Sequence, residues 1–126
     1  MLCNFIKKGI KTMPNIIVHA TEGLPPEQKK NMVKRITEYV SKDVDLPVED
    51  VRIIITEHPT QNVAIGGEFL SEKSNTFYPL VFVGTKAGKT DELLKTISSH
   101  IADAIAEAFE YPADRIRVYF IERKIS

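Results

Sequence analysis

Six pairs of like residues in this chain stand 65 positions apart: Pro14 and Pro79, Gly23 and Gly88, Glu27 and Glu92, Pro47 and Pro112, Arg52 and Arg117, Glu57 and Glu122. They are residues that punctuate secondary structure or carry charge. The stretch V-R-I-I-I-T-E at 51–57 also answers I-R-V-Y-F-I-E at 116–122. Coincidence at a fixed period marks a duplicated structural unit. Whatever the first half folds into, the second half must be able to fold into as well.

The unit reads as strand, helix, strand. Asn15 to Ala20 is short and β-branched, and the turn cluster Glu22-Gly23-Leu24-Pro25-Pro26 closes it. Pro26-Glu27 suits a first helical turn, and Met32, Val33, Ile36, Val40 and Val44 recur at helical spacing with charge between them. Pro47 ends that helix, and Val51 to Thr56 is a second apolar strand. Gln61 to Leu70, with Gly66-Gly67 inside, reads as a hairpin or a short flap. In the second unit Phe77 to Val83 is a strand and Gly84 to Lys89 a turn. Thr90 starts a helix carrying Leu94, Ile97, Ile101, Ala104, Ile105 and Ala108, and Ile116 to Ile121 is the last strand.

Each unit is expected to be a right-handed β-α-β crossover with parallel strands. The fold class is therefore α/β (α+β): one four-stranded sheet with two helices on one face. Residues 14–126 make a single domain of two units, 14–70 and 77–126, and residues 1–13 are an extension. Val51, Ile53 and Ile55 point one way, and Arg52, Ile54 and Thr56 the other. Strands this apolar on both faces need cover, so self-association through the helix-free face is expected.

Composition narrows the function classes. Seventeen basic and 17 acidic residues give a formal net charge of zero. A nucleic-acid or anionic-membrane partner is not expected, since both need a cationic excess. No apolar run approaches the ~20 residues of a membrane helix. The single cysteine, Cys3, excludes an internal disulfide and suits a reducing, cytoplasmic setting. The basic first 12 residues lack the apolar core of a secretory signal, though a mitochondrial presequence is a minor alternative. His19, His58 and His100 show no ligand spacing, so neither metal nor cofactor is expected. G-T-K-A-G-K at 84–89 falls short of a phosphate loop.

Met13-Pro14 followed by I-I-V-H, then Glu22-Gly23, Glu27-Gln28-Lys29, the strand Val51 to Glu57, and Ile65-Gly66-Gly67-Glu68 together resemble 4-oxalocrotonate tautomerase. The two-unit length resembles the fused branch of that superfamily, with cis-3-chloroacrylic acid dehalogenase and malonate semialdehyde decarboxylase. The resemblance implies catalysis by an amino-terminal proline, here Pro14, and a homotrimer. A free proline amine is a base when unprotonated, and a nearby cation and desolvation both disfavour its ammonium form. Arg52 matches the family's strand arginine, which would bind a substrate carboxylate and draw electrons from a developing enolate. Its other use would be an ion pair with a neighbouring Glu at the sheet edge.

The chain departs from the family in three places. Leu24 stands where an arginine follows the first Glu-Gly. The repeat puts Lys89 at the matching place in the second unit, with Lys86 nearby, both assigned to a helix N-terminus that suits anions. Arg117, the repeat of Arg52, joins them as a substrate-binding candidate. Val63 replaces the family's aromatic near the flap, for which Phe77, Phe82 or Phe69 would have to compensate. Pro14 is internal, and a proline inside a peptide bond has no basic nitrogen. Catalysis therefore requires a start at Met13 followed by removal of that methionine, or a trimming step. Pro79 is internal in every case and reads as a relic of duplication or a strand-start residue.

The expected activity is keto-enol proton transfer on a small 2-keto or enol carboxylic acid, with Pro14 as base. One alternative is a decarboxylase or hydratase-like dehalogenase, in which Asp50 or Glu122 would be essential. The other is a non-catalytic binding relative with Pro14 blocked by residues 1–13.

Overall fold

The computed structural model describes residues 14–73, 77–86 and 88–123. The 1–13 extension, with Cys3, lies outside them. The chain runs β1 (Asn15–Thr21), α1 (Pro26–Asp43), β2 (Arg52–His58), a small hairpin of β3 (Ala64–Ile65) and β4 (Glu68–Phe69), then β5 (Leu80–Lys86), α2 (Asp91–Phe109) and β6 (Arg117–Arg123). The sheet order is β2-β1-β5-β6. β1 pairs with β2 and β5 with β6 in parallel, while the central pair β1 and β5 is antiparallel. The two units are joined back to back, and the expected sheet with two helices on one face is present.

The repeat holds down to single dihedrals. Gly23 and Gly88 have φ 95° and 96°, and Asp45 and Glu110 have φ 56° and 52°. Each unit thus leaves its first strand through a left-handed residue and its helix through another. Non-glycine residues seldom adopt that conformation, so its recurrence 65 positions apart shows that both halves follow the same chain path.

The core lies between sheet and helices. Met32, Ile36 and Val40 form a buried stripe on α1, and Ile97, Ile101, Ala104 and Ile105 one on α2. They meet Ile16 and Val18 of β1 and Val81 and Val83 of β5. Fully burying each large aliphatic side chain is worth about 1.5–3 kcal/mol, so this layer fixes which sheet face the helices cover. The other face carries Ile54, Tyr119 and Ile121, each half or more exposed.

β5 differs from the expectation at both ends, and it begins at Leu80 rather than Phe77. β5 continues through Gly84 and Thr85 to Lys86, because Gly84 pairs with Asn15 on one side and Ile121 on the other. The flap between the units is a hairpin whose turn residues, Gly66 and Gly67, both have positive φ (63° and 83°). A two-residue loop needs that geometry to match strand twist.

Candidate active site

Pro14 stands directly before β1 and is buried. β2 lies beside it with Asn15 paired to Arg52, and the Arg52 backbone N–H donates to the Pro14 carbonyl at 3.3 Å. β5 reaches the same end from the other side. Asn15 pairs with Gly84, so the next residues along the two strands, Pro14 and Thr85, face each other, and Lys86 follows. On β6, Glu122 pairs with Thr85. Four strands therefore deliver Pro14, Arg52, Lys86 and Glu122 to one end of the sheet. Lys89 follows in the loop beyond β5, half-buried beside Thr90.

The side chains divide between faces. Arg52 and Lys86 alternate onto the helix-free face and are exposed, whereas Thr85 lies on the helix side with Val81 and Val83. Arg52, Lys86 and Lys89 form no ion pair among the described residues. The edge ion pair considered for Arg52 is therefore not made, and these cations are available to an anion. Lys86 ends a strand and does not sit at a helix N-terminus; Lys89 directly precedes the helix cap.

Arg117 is not brought to Pro14 within one protomer. It pairs with Leu80 at the opposite end of the sheet, next to Pro79, and its guanidinium donates to the Asp114 carbonyl at 3.1 Å. The cause is the antiparallel joint between β1 and β5, which reverses the second unit so that equivalent residues land at opposite ends. The same reversal sends the Gly23-Leu24 turn toward Pro79 and brings the Gly88-Lys89 turn toward Pro14. A cation at Lys89 is thus better located than one at Leu24 would be in the same protomer.

Phe77 packs on Phe109 and Tyr111, with ring centroids 5.1 and 4.9 Å away. Phe82 lies between His19 and Tyr119 on the helix-free face. Phe69 is exposed on the hairpin. Asp50 is half-buried in a 3-10 turn before β2, and Glu122 is exposed.

Three arrangements escape a linear reading. Glu57, known from sequence only as a repeat position, accepts from the N–H groups of Gly23 and Leu24 at 3.1 and 3.2 Å and from Lys29 Nζ at 2.9 Å. The Lys29 bond, then the backbone bonds, hold its carboxyl below the usual range despite partial desolvation. His19 and His58 are 39 positions apart yet stack, one ring N–H donating to the other ring at 2.9 Å. Parallel pairing of β1 and β2 is what joins them, since Thr21 pairs with His58. The third is Thr85, whose buried Oγ1 has no hydrogen-bond partner among the described residues. No group of three or more potential metal ligands occurs among those residues.

Comparison with known proteins gives a consistent picture. A family model described as tautomerase enzyme matches residues 14–73. A 2-hydroxymuconate tautomerase of Stutzerimonas stutzeri is 41% identical over 56 residues, which are 44% of this chain and 89% of that protein. Among solved structures, native fused 4-OT superposes with a TM-score of 0.80 at 22% identity, covering 86% of both chains. A fused 4-OT asymmetric trimer gives 0.76 at 23% identity, covering 86% of this chain and 85% of the other. The family model falls on the first unit and the residues just after it, and the structural matches span both units.

Proposed function

We propose that this chain, which belongs to the tautomerase superfamily and has the fold of its fused branch, moves a proton between carbon and oxygen in a small 2-keto or enol carboxylic acid. Membership supports tautomerase chemistry in general. The residues and substrate class are our assignment. The Pro14 amine, free at a chain terminus, is the base that takes the proton beside the carbonyl and returns it at the other end of the conjugated system. Arg52 and Lys89, with Lys86, hold the carboxylate. Arginine offers a bidentate fork, whereas lysine offers a point charge. Because their charge is unpaired, it also disfavours the ammonium form of a nearby amine and keeps the base available near neutrality.

The observation that carries this reading is the seating of Arg52 against Pro14 through the backbone bond between them. Arg117 at the far end has no part in it within the same protomer. We take the assembly to be a homotrimer closed through the helix-free sheet face. No described helix is long and apolar enough to cross a membrane.

The test pairs intact mass of protein from its native host with ketonisation of 2-hydroxymuconate and phenylpyruvate. The expected mass is that of a chain beginning at Pro14, with turnover abolished in Pro14→Ala. A chain beginning at Pro14 without turnover on either acid, or one in which Pro14→Ala retains it, overturns the proline-base reading. An activity requiring Asp50 or Glu122 would indicate the decarboxylase or dehalogenase chemistry.

A further inference from the structure

We propose that the Thr85 hydroxyl holds the Pro14 amine in position, making Thr85 a positioning residue for the proton transfer. The inference rests on the function proposed above. Thr85 is 8% exposed, and its Oγ1 has no partner among the described residues. Leaving a buried hydroxyl unpaired is costly, and native structures seldom do so without a reason. Valine would fill the same volume at no such cost, and Val81 and Val83 do so along the same face of β5. The hydroxyl therefore calls for a partner that the described residues do not offer.

Pro14 is that partner. Residues directly opposite in an antiparallel pair have Cβ atoms about 4.5–5.5 Å apart, and the β1–β5 register carries Pro14 and Thr85 to opposing positions. In the full chain the Pro14 nitrogen is a tertiary amide with neither proton nor available lone pair. Freed as a terminus it becomes a secondary amine, which accepts a hydrogen bond when neutral and donates one when protonated. The hydroxyl can answer both states by rotating.

The second unit supplies an internal control. The repeat partner of Thr85 is Ala20, 2% exposed, and the same register extended the other way sets Ala20 against Pro79. Pro79 is embedded in the chain and never has an amine. The hydroxyl occurs beside the proline that can become a terminus, and a methyl beside the one that cannot.

Arg52 from β2, Lys86 from β5 and Glu122 from β6, with Lys89 in the loop beyond β5 and Asp50 in the turn before β2, are charged groups at this end of the sheet. They set the field on the amine, and Thr85 adds one short-range bond that fixes its orientation. An ammonium donor makes the stronger, charge-assisted bond, so losing the hydroxyl disfavours the protonated amine.

The experiment uses the chain beginning at Pro14, which retains every element of the described fold, and compares Thr85→Val with Thr85→Ser. In Thr85→Val the acid limb of the kcat/KM profile should move down by about half a pH unit or more, with kcat several-fold lower. Thr85→Ser should keep both near the parent. In the full chain, where the hydroxyl has no partner among the described residues, Thr85→Val should unfold no earlier than the parent, which also shows that valine is accommodated. An unmoved profile in Thr85→Val, or the same displacement in Thr85→Ser, overturns the proposal. So does a full-length Thr85→Val that unfolds earlier, since the hydroxyl would then have a structural partner. Pro14→Ala separates the two levels: retained turnover overturns the proline base, whereas lost turnover beside an unmoved Thr85→Val profile overturns the Thr85 role alone.

Discussion

Glu57 shows how one carboxylate can fix a turn that has no side-chain cap of its own. Helix α1 begins after Pro25, which offers no capping hydrogen bond. Glu57, at the end of β2, instead takes the N–H groups of Gly23 and Leu24 and pairs with Lys29 in the first turns of α1. Its folded pKa lies below the ordinary value of 4.5, so its contribution is present above that value and lost as pH falls through the lower folded one. Glu57→Gln should therefore cost about 1 kcal/mol at pH 7, since the carboxylate is partly exposed and its pairing only partly shielded. The difference from the parent should shrink as pH falls below the ordinary carboxylate value and vanish once the folded carboxyl is protonated, and urea unfolding at pH 7 and through the acid range measures it. A constant difference would mean that shape, not charge, holds the turn. The sequence marks Glu57 as a repeat position but gives no hint of its role. Its partners lie 28 to 34 positions away and meet it only because β1 and β2 pair in parallel. Thr85 was hidden for a different reason: in G-T-K-A-G-K it reads as a turn residue, and its significance depends on what β1 places opposite.

The secondary elements were far more legible, because each is specified by local signals that the duplication states twice. Hydrophobic spacing located both helices, though α1 stops at Asp43, short of the Pro47 expected to end it, and Thr90 was recognisable as a cap. In the structure Thr90 Oγ1 accepts from the Leu93 N–H at 3.1 Å, with Asp91 and Glu92 in the first turn. Thr90→Ala should accordingly destabilise the domain by about 1 kcal/mol, with Thr90→Ser recovering most of it, read by thermal or urea unfolding. Equal losses in both variants would show that the methyl, not the oxygen, matters. The end of β5 was the main misreading. Gly84 signals a break, yet a glycine inside a strand is tolerated when partners pair on both sides, and here a Cβ would meet nothing closer than the Asn15 carbonyl at 3.8 Å. Three further residues of strand follow from that pairing, and they carry Thr85 and Lys86 to the end where Pro14 lies.

At the scale of the whole molecule, alternation along β2 foretold a helix-free face that is too apolar for water, but the reversal of the second unit was not written in any segment. It follows from the antiparallel joint, and it decides that Arg117 and Pro14 lie at opposite ends. The helix-free face shows Ile54 at 59%, Tyr119 at 50% and Ile121 at 53% exposure. Ile54 lies on one edge strand and the other two on the opposite edge strand, with His19 and Phe82 on the central strands between them. Apolar side chains spread from edge to edge of one sheet face form a surface that another copy can cover. None of the three packs toward the helices, so charge placed on them should leave the protomer's core intact. Ile54→Lys combined with Ile121→Lys should convert the proposed trimer to monomers in analytical ultracentrifugation while the helical circular dichroism is retained. Burying two ammonium groups in an apolar interface is prohibitive, whereas exposing them on a monomer costs almost nothing. A double variant that still sediments as the parent does would place the contact between copies elsewhere, on the hairpin or the outer faces of the helices.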